Sequence, residues 1–314
     1  MSFTIEEAKQ VLSQKFLLQE GVAGVSHHSS EIVVYVESEE YAERIPRTLL
    51  GYPVKVVVSG RFRILAGYEA RTARVRPVVG GVSAGSTLTT AGTVACTVVD
   101  RLTGLRMLLS NRHVFDGPAG TPILQPGAVD GGVYPDDVVA AVERFIEVKP
   151  PPDINLVDAC VAMPVSQDIV GYEVLGLGVP NGVGEARVGE RIRKSGRSCG
   201  VSEAVVVDTN ATVKVEGYSF GEAIFEDTVI TTFCGVSGDS GSIGVSAGTN
   251  VAIGLLFAGS EKLTCFNKMS NVVRLLEVDI PRYGVAGYQL VPSAAYMFAQ
   301  VAAGFMLLLA SGKI

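Results

Sequence analysis

The sequence predicts a mostly β protein, in which an all-β body follows a small α+β unit and precedes an apolar helix. Between about residues 78 and 279, short apolar runs alternate with Gly, Pro and Asp turns, a pattern typical of a barrel or a sandwich. The 36 glycines among 314 residues are consistent with many tight turns. Apolar residues recur at helical spacing near both ends of the chain, which predicts helices there.

Composition and charge narrow the class of function. The formal net charge of −6 disfavours a nucleic-acid partner, because a phosphate backbone would on average be repelled. The five cysteines form no CxxC pair and the chain has three histidines, two of them adjacent, so we expect no metal site. The first residues lack the pattern of a secretory signal. Free thiols then favour a cytoplasmic location, with export by another route left open.

Residues 1–67 are expected to form the small α+β domain. Helices are predicted over 3–19, with Thr4 as N-cap, and over 39–50. Strands are predicted over 22–25, 32–36 and 54–58. His27 and His28 fall in a polar turn, where exposure to solvent is the simplest expectation.

Residues 68–77 form a short basic connector that contains Arg71, Arg74 and Arg76. We favour a solvated linker for this segment, and docking of the arginines on an acidic face or a partner is the alternative.

Residues 78–280 are expected to form the all-β body. Its strands are predicted at six apolar runs: 93–99, 106–109, 138–141, 204–207, 228–233 and 251–257. No internal repeat is visible by eye, and two six-stranded barrels do not require one.

Residues 281–314 are expected to form a C-terminal apolar helix or tail. No charged residue occurs between 284 and 312, and the centre of the segment, 294–310, is strongly apolar. We favour packing of this helix on the body or on another subunit. We also expect a homo-oligomer, which packing on another subunit would produce. Membrane contact through 294–310, at the lower length limit of a span, is less favoured, and a loose tail is the third alternative.

A candidate nucleophile, Ser240, lies in the run Gly238-Asp239-Ser240-Gly241. A nucleophilic serine has to project from a sharp turn, which requires small neighbours. The backbone N–H groups of Gly238 and Ser240 can then converge on one point and stabilise the oxyanion of acyl transfer, at about 2.7–4 kcal/mol per donor. A tight turn without catalytic role is the alternative.

A serine hydroxyl needs a base, and His113 is the best candidate because the two other histidines are predicted to lie in a turn of the N-terminal unit. The alternative is that His113, which follows an apolar run, is a structural histidine. The base in turn needs a carboxylate that fixes its tautomer. Asp158 stands inside an otherwise apolar, strand-like run, where an unpaired acid would be costly to bury. Asp136 and Asp137 are weaker candidates, because they lie in a polar turn.

These runs resemble the histidine, aspartate and nucleophile motifs of trypsin-like and HtrA/Deg-type peptidases. More closely, residues 75–275 resemble the trypsin-like bacterial proteins related to the plant narrow-leaf protease. The similarity covers further segments: 80–85, 123–127, 193–197 and 254–259. The resemblance implies a chymotrypsin-like double β-barrel, a His113-Asp158-Ser240 catalytic triad, hydrolysis of peptide bonds through an acyl-enzyme, and no cofactor.

The same resemblance implies a pocket for the substrate side chain. Residues 256–259, including Phe257, Ala258 and Gly259, would form one wall, and Cys234 would lie near the base. A thiol in place of an acid there favours an apolar or small substrate side chain, and a buried core thiol is the alternative.

Two classes of function remain open from the sequence. The favoured one is a serine endopeptidase that acts on protein or peptide substrates. The alternative is a protease-fold binding or assembly protein whose site is idle or closed. Val78-Val79-Gly80-Gly81 also resembles a zymogen activation site, where a freed amine would pair with Asp239; Arg76-Pro77 argues against cleavage there, and Asp239 is then expected to accept bonds from backbone N–H groups or arginines.

Overall fold

The computed structural model describes residues 3–59 and 71–282. The chain divides into two compact units, residues 1–65 and residues 66–314. Each unit is described by itself.

The N-terminal unit is a four-stranded sheet with helices. Its elements are α1 (Ile5–Phe16), β1 (Val22–His28), β2 (Glu31–Val36), α2 (Glu39–Ala42), β3 (Thr48–Leu49) and β4 (Tyr52–Val58). The strand order is β1-β2-β4-β3, with β2 and β4 parallel. Thr4 caps α1 through a capping box with Glu7, as expected for this sequence position, and Phe16 packs with Val34 in the core.

Two expectations for this unit were wrong. The helix predicted over 39–50 ends at Ala42, because Pro46 disfavours helical backbone at the residue before it. His27 and His28 belong to β1 rather than to a turn. The Nδ1 atom of His27 is buried and has no hydrogen-bond partner among the residues that the structure describes.

Eight strands of the C-terminal unit form a first curled sheet, in the order β21-β8-β9-β13-β11-β10-β6-β7. Their bounds are β6 (Ser83–Ser86), β7 (Gly92–Thr93), β8 (Cys96–Asp100), β9 (Arg106–Ser110), β10 (Pro122–Leu124), β11 (Val138–Phe145), β13 (Cys160–Pro164) and β21 (Val278–Asp279). A separate parallel pair joins β5 (Val78–Gly80) to β14 (Val170–Val174).

Seven strands form a second sheet, in the order β12-β17-β16-β15-β18-β19-β20. Their bounds are β12 (Ile154–Asn155), β15 (Arg191–Gly196), β16 (Gly200–Tyr218), β17 (Gly221–Thr232), β18 (Ile243–Ser246), β19 (Ala252–Gly259) and β20 (Leu263–Lys268). Because β17 also pairs with β20, six of these strands close into a ring. A short helix, α3 (Met269–Leu275), follows β20.

One hydrophobic cluster contains residues of both sheets, Val98 and Leu109 from the first and Ile243 and Leu255 from the second. The prediction of a mostly β, double-barrel body is therefore confirmed. The sequence did not predict the length of β16 and β17, which form a long hairpin beyond the runs 204–207 and 228–233.

The connector is anchored in the C-terminal unit. Arg71 is buried, and its guanidinium donates to Ser195 Oγ and to the carbonyl oxygens of Gly81 and Leu175. Solvation was therefore the wrong expectation for this arginine, whose donors satisfy buried acceptors.

The apolar segment 294–310 lies outside the described residues, as do most of residues 281–314. No helix within the described ranges has the length and hydropathy needed to cross a membrane.

Candidate active site

His113 and Asp158 form a hydrogen-bonded pair where the two sheets meet. His113 follows β9 of the first sheet, and Asp158 lies where the chain passes from β12 to β13. His113 Nδ1 is 2.7 Å from Asp158 Oδ2, and the backbone N–H of His113 donates to Asp158 Oδ1 at 3.2 Å. Asn111 and Asn267 bond the backbone of Asp158, so both barrels hold the carboxylate in place.

The electrostatics of the pair favour an ionised carboxylate. Complete burial alone would raise the pKa of Asp158, but the charge and hydrogen bonds of His113, with the hydroxyl of Tyr218, hold that pKa below its usual range. For His113, burial alone would lower the pKa, and the charge of Asp158 outweighs it and raises the pKa. Because Nδ1 faces the carboxylate, Nε2 is left to act as a base.

Ser240 lies in the loop between β17 and β18, at the end of a tight turn. The N–H of Asp239 donates to the carbonyl of Val236 at 3.0 Å. Gly238 has φ +89°, which fits the third position of a type II turn. Within the described part of the chain, the N–H groups of Gly238 and Ser240 have no acceptor, so both are available to an oxyanion.

The loop that carries Ser240 is hydrogen-bonded to the first sheet through Thr93. The N–H of Thr93 donates to the carbonyl of Ser240, and its hydroxyl donates to the carbonyl of Gly238, each at 2.8 Å. Gly92, the preceding residue, has no room for a Cβ between the backbone of Ser240 and the side chain of Val114, which follows His113. These contacts bring the serine loop next to the histidine turn.

Asp239 is paired with a buried lysine. Lys194 Nζ donates to Asp239 Oδ2 at 2.6 Å, and both side chains are fully buried. The carboxylate also accepts the backbone N–H groups of Ser198, Cys199 and Val236, at 2.8 to 3.1 Å. Burial alone would raise the pKa of Asp239, but the charge of Lys194 and these donors lower it. The lysine thus occupies the position that a freed amine would need.

Sequence reasoning missed Lys194. The signal was available, because Lys194 follows the buried Ile192 by two residues on the same strand and therefore points to the same face.

Tyr218, at the end of the β16–β17 hairpin, was also missed. Its hydroxyl donates to Asp158 Oδ2 at 2.7 Å. No local sequence signal reveals a contact between residues so far apart in the chain.

A cleft of about 1040 Å³ opens beside Ser240. Phe257, Ala258 and Gly259, which the resemblance assigns to a substrate pocket, line this cleft together with Leu256; that they bind a substrate stays a prediction. Other lining side chains come from neighbouring strands and loops, among them Val213, Lys214, Glu216, Ile230, Glu261 and Cys265. Cys234 lies behind this lining, where its thiol packs in a core cluster and approaches Thr231 Oγ1 at 3.8 Å.

Two further observations bear on chemistry. Ser240 Oγ makes no hydrogen bond to His113 among the residues described, a separation common before a substrate binds. In the same ranges, no group of three His, Cys, Asp or Glu side chains is arranged to hold a metal ion.

No protein-family model and no curated protein matches the sequence. Solved structures do match the fold. A Nocardiopsis protease (NAPase) superimposes with a TM-score of 0.50 at 18% identity, over 65% of this chain and 98% of the neighbour. Thermobifida fusca protease A gives the same TM-score, identity and coverage. The chain therefore has the chymotrypsin fold of serine proteases.

Proposed function

We propose that the C-terminal unit is a serine endopeptidase with Ser240 as nucleophile, His113 as base and Asp158 as its orienting carboxylate. The observation that carries the proposal is the His113–Asp158 hydrogen bond beside the loop that carries Ser240, whose N–H donors are unused. Such a constellation is recognised by geometry and roles rather than by sequence position. The likeness to the narrow-leaf group stays a prediction.

Each residue has one task in the reaction. Ser240 Oγ attacks the carbonyl carbon of the scissile bond while His113 Nε2 takes its proton. The N–H groups of Gly238 and Ser240 bind the oxygen that becomes negative. His113 then gives the proton to the leaving amine, and water hydrolyses the acyl-enzyme by the same base. Asp158 stays ionised and stabilises the imidazolium.

The lining of the cleft supports a preference for substrates with an apolar side chain before the scissile bond. Leu256, Phe257 and Ala258 form an apolar wall next to Ser240. Cys234 packs in the core, so its thiol adds no charge to the lining of the cleft.

One observation favours a second candidate, a protease-fold binding or assembly protein with an idle site. Within the described ranges Ser240 lines the cleft described above, whereas His113 lines a separate one with Tyr218 and Phe220. A homo-oligomer would be compatible with either function.

Covalent labelling by a fluorophosphonate distinguishes the two. We expect the full chain to be modified at Ser240, mapped by mass spectrometry, and labelling to vanish in Ser240→Ala. Ser166→Ala, an exposed serine on the same unit, serves as the matched control and should keep full labelling. A folded wild type that resists the reagent would refute the peptidase and favour the binding protein.

A further inference from the structure

The β16–β17 hairpin delivers a fourth side chain to the His113–Asp158 pair. Its two strands pair up to Tyr218 and Gly221, with the turn between them at the far end. Tyr218 is the last residue of β16, and its hydroxyl donates to Asp158 Oδ2. The hydroxyl therefore bonds the same carboxylate oxygen as His113 Nδ1.

The tyrosine acts as a donor in this contact. An ionised carboxylate only accepts hydrogen bonds, and burial, with the charge of Asp158, raises the pKa of Tyr218 so that the phenol keeps its proton. Hydrogen bonds to a charged group are stronger than neutral ones. The contact thus disperses part of the charge that Asp158 offers to His113.

The orientation of the phenol ring is fixed by aromatic neighbours. Tyr218 stacks on Phe220 with ring centroids 5.4 Å apart and planes 6° apart. It packs on Phe225 at 6.0 Å and meets the His113 ring edge-on at 6.4 Å. Tyr218 and Phe225 also share a cluster with Phe257, a wall of the substrate cleft. A ring held on several sides has little freedom to withdraw its hydroxyl.

We propose that Tyr218 is a positioning residue of the active site, which holds the Asp158 carboxylate and weakens its attraction for the His113 imidazolium. This inference rests on the proposed peptidase function. As a consequence, the pKa of His113 is held low enough for its role as base only while the tip of the hairpin contacts the His113–Asp158 pair. If the Tyr218 hydroxyl only filled space, its removal would not change the pKa of His113.

The test is Tyr218→Phe in the full chain, which removes one oxygen and keeps the ring. Tyr172→Phe is the matched control, since that ring lies under the guanidinium of Arg106. The first readout is the NMR titration of the His113 ring, which needs no substrate. The second is the rate of fluorophosphonate inactivation as a function of pH. Urea unfolding shows whether each variant is folded.

In Tyr218→Phe we expect the pKa of His113 to rise, because Asp158 then stabilises the imidazolium more strongly. The acid limb of the inactivation profile should move to higher pH by the same amount. The plateau rate should fall roughly tenfold, which is the loss of one hydrogen bond to a charged group. The charged groups around His113 are unchanged in both variants: Asp158, Asp116 and Arg112, with Glu147 and Lys149 in the lining of the same cleft.

An unchanged His113 titration in folded Tyr218→Phe would overturn the inference, even if wild type is labelled at Ser240. A shifted titration in a protein that is never labelled would support the positioning role and refute the proposed nucleophile. A second variant, Phe220→Ala, removes the ring that stacks on Tyr218 and keeps the Tyr218 hydroxyl. It should shift the titration in the same direction by less, and no shift would count against the inference.

Discussion

The buried Lys194–Asp239 pair leads to a prediction about both stability and reactivity, because Asp239 directly precedes Ser240, the proposed nucleophile. Lys194→Met keeps the length of the side chain and removes its charge. Asp239, which is fully buried, would keep only its three backbone donors. Breaking one partner of a buried ion pair costs about 3–5 kcal/mol. That is a large part of a typical unfolding free energy of about 5–15 kcal/mol.

The chain has no tryptophan, so urea unfolding is best followed by far-UV circular dichroism. Lys214→Met provides the matched control, since Lys214 pairs with Glu222 on the exposed hairpin. Such exposed pairs contribute little to stability. Adding Asp239→Asn to Lys194→Met should recover part of the loss, because a neutral amide is less costly to bury than an unpaired carboxylate.

We also expect the fluorophosphonate reaction of Ser240 to slow sharply in Lys194→Met, because Asp239 bonds the N–H of Val236 in the oxyanion turn. A Lys194→Met variant that unfolds with the same free energy as Lys214→Met would refute the reasoning. So would full labelling at Ser240 in a variant whose stability had fallen by several kcal/mol.

Three further predictions follow from the site. Labelling of Ser240 should be lost as pH falls through the raised pKa of His113, which means a loss that begins above the ordinary histidine value of about 6.5; a rate that stays constant down to pH 4 would contradict His113 as base. Gly241→Ala should destabilise the protein and slow labelling, because φ is +91° and a Cβ would meet Thr93 and Ser110, whereas Gly248→Ala, in open space, should be neutral in both assays. A peptide library should be cut after apolar residues, and cleavage mainly after Lys or Arg would mean that the apolar wall is not the primary pocket.

The sequence predicted those parts of the site that depend on local chemistry. Ser240 needs small neighbours, and Asp158 is conspicuous as an acid in an apolar run, so both stand out without a structure. The partners of these residues are non-local. Tyr218 reaches Asp158 from the end of a hairpin whose outer half alternates half-buried apolar residues with exposed polar ones. This alternation indicates a strand, but it does not reveal a contact with Asp158.

The limits of the fold prediction have similar causes. Apolar periodicity located the strands with a buried face, such as β9 and β19. It did not locate the outer part of β16, where half-buried and exposed residues alternate. The second helix is shorter than the predicted range 39–50 because Pro46, a stop signal, lies inside that range.

Arg71 changes what counts as the smallest independent catalytic fragment. The first strand of the C-terminal unit begins at Val78, and the resemblance to trypsin-like peptidases also begins near there, at about residue 75. A fragment that starts there would leave the carbonyls of Gly81 and Leu175 and the hydroxyl of Ser195 without their cationic donor. Because Ser195 follows Lys194 directly, excision of the segment before Val78 should loosen the loop behind the nucleophile. If Ser240 is the proposed nucleophile, proteolytic trimming at that point should lower its reactivity, the opposite of zymogen maturation.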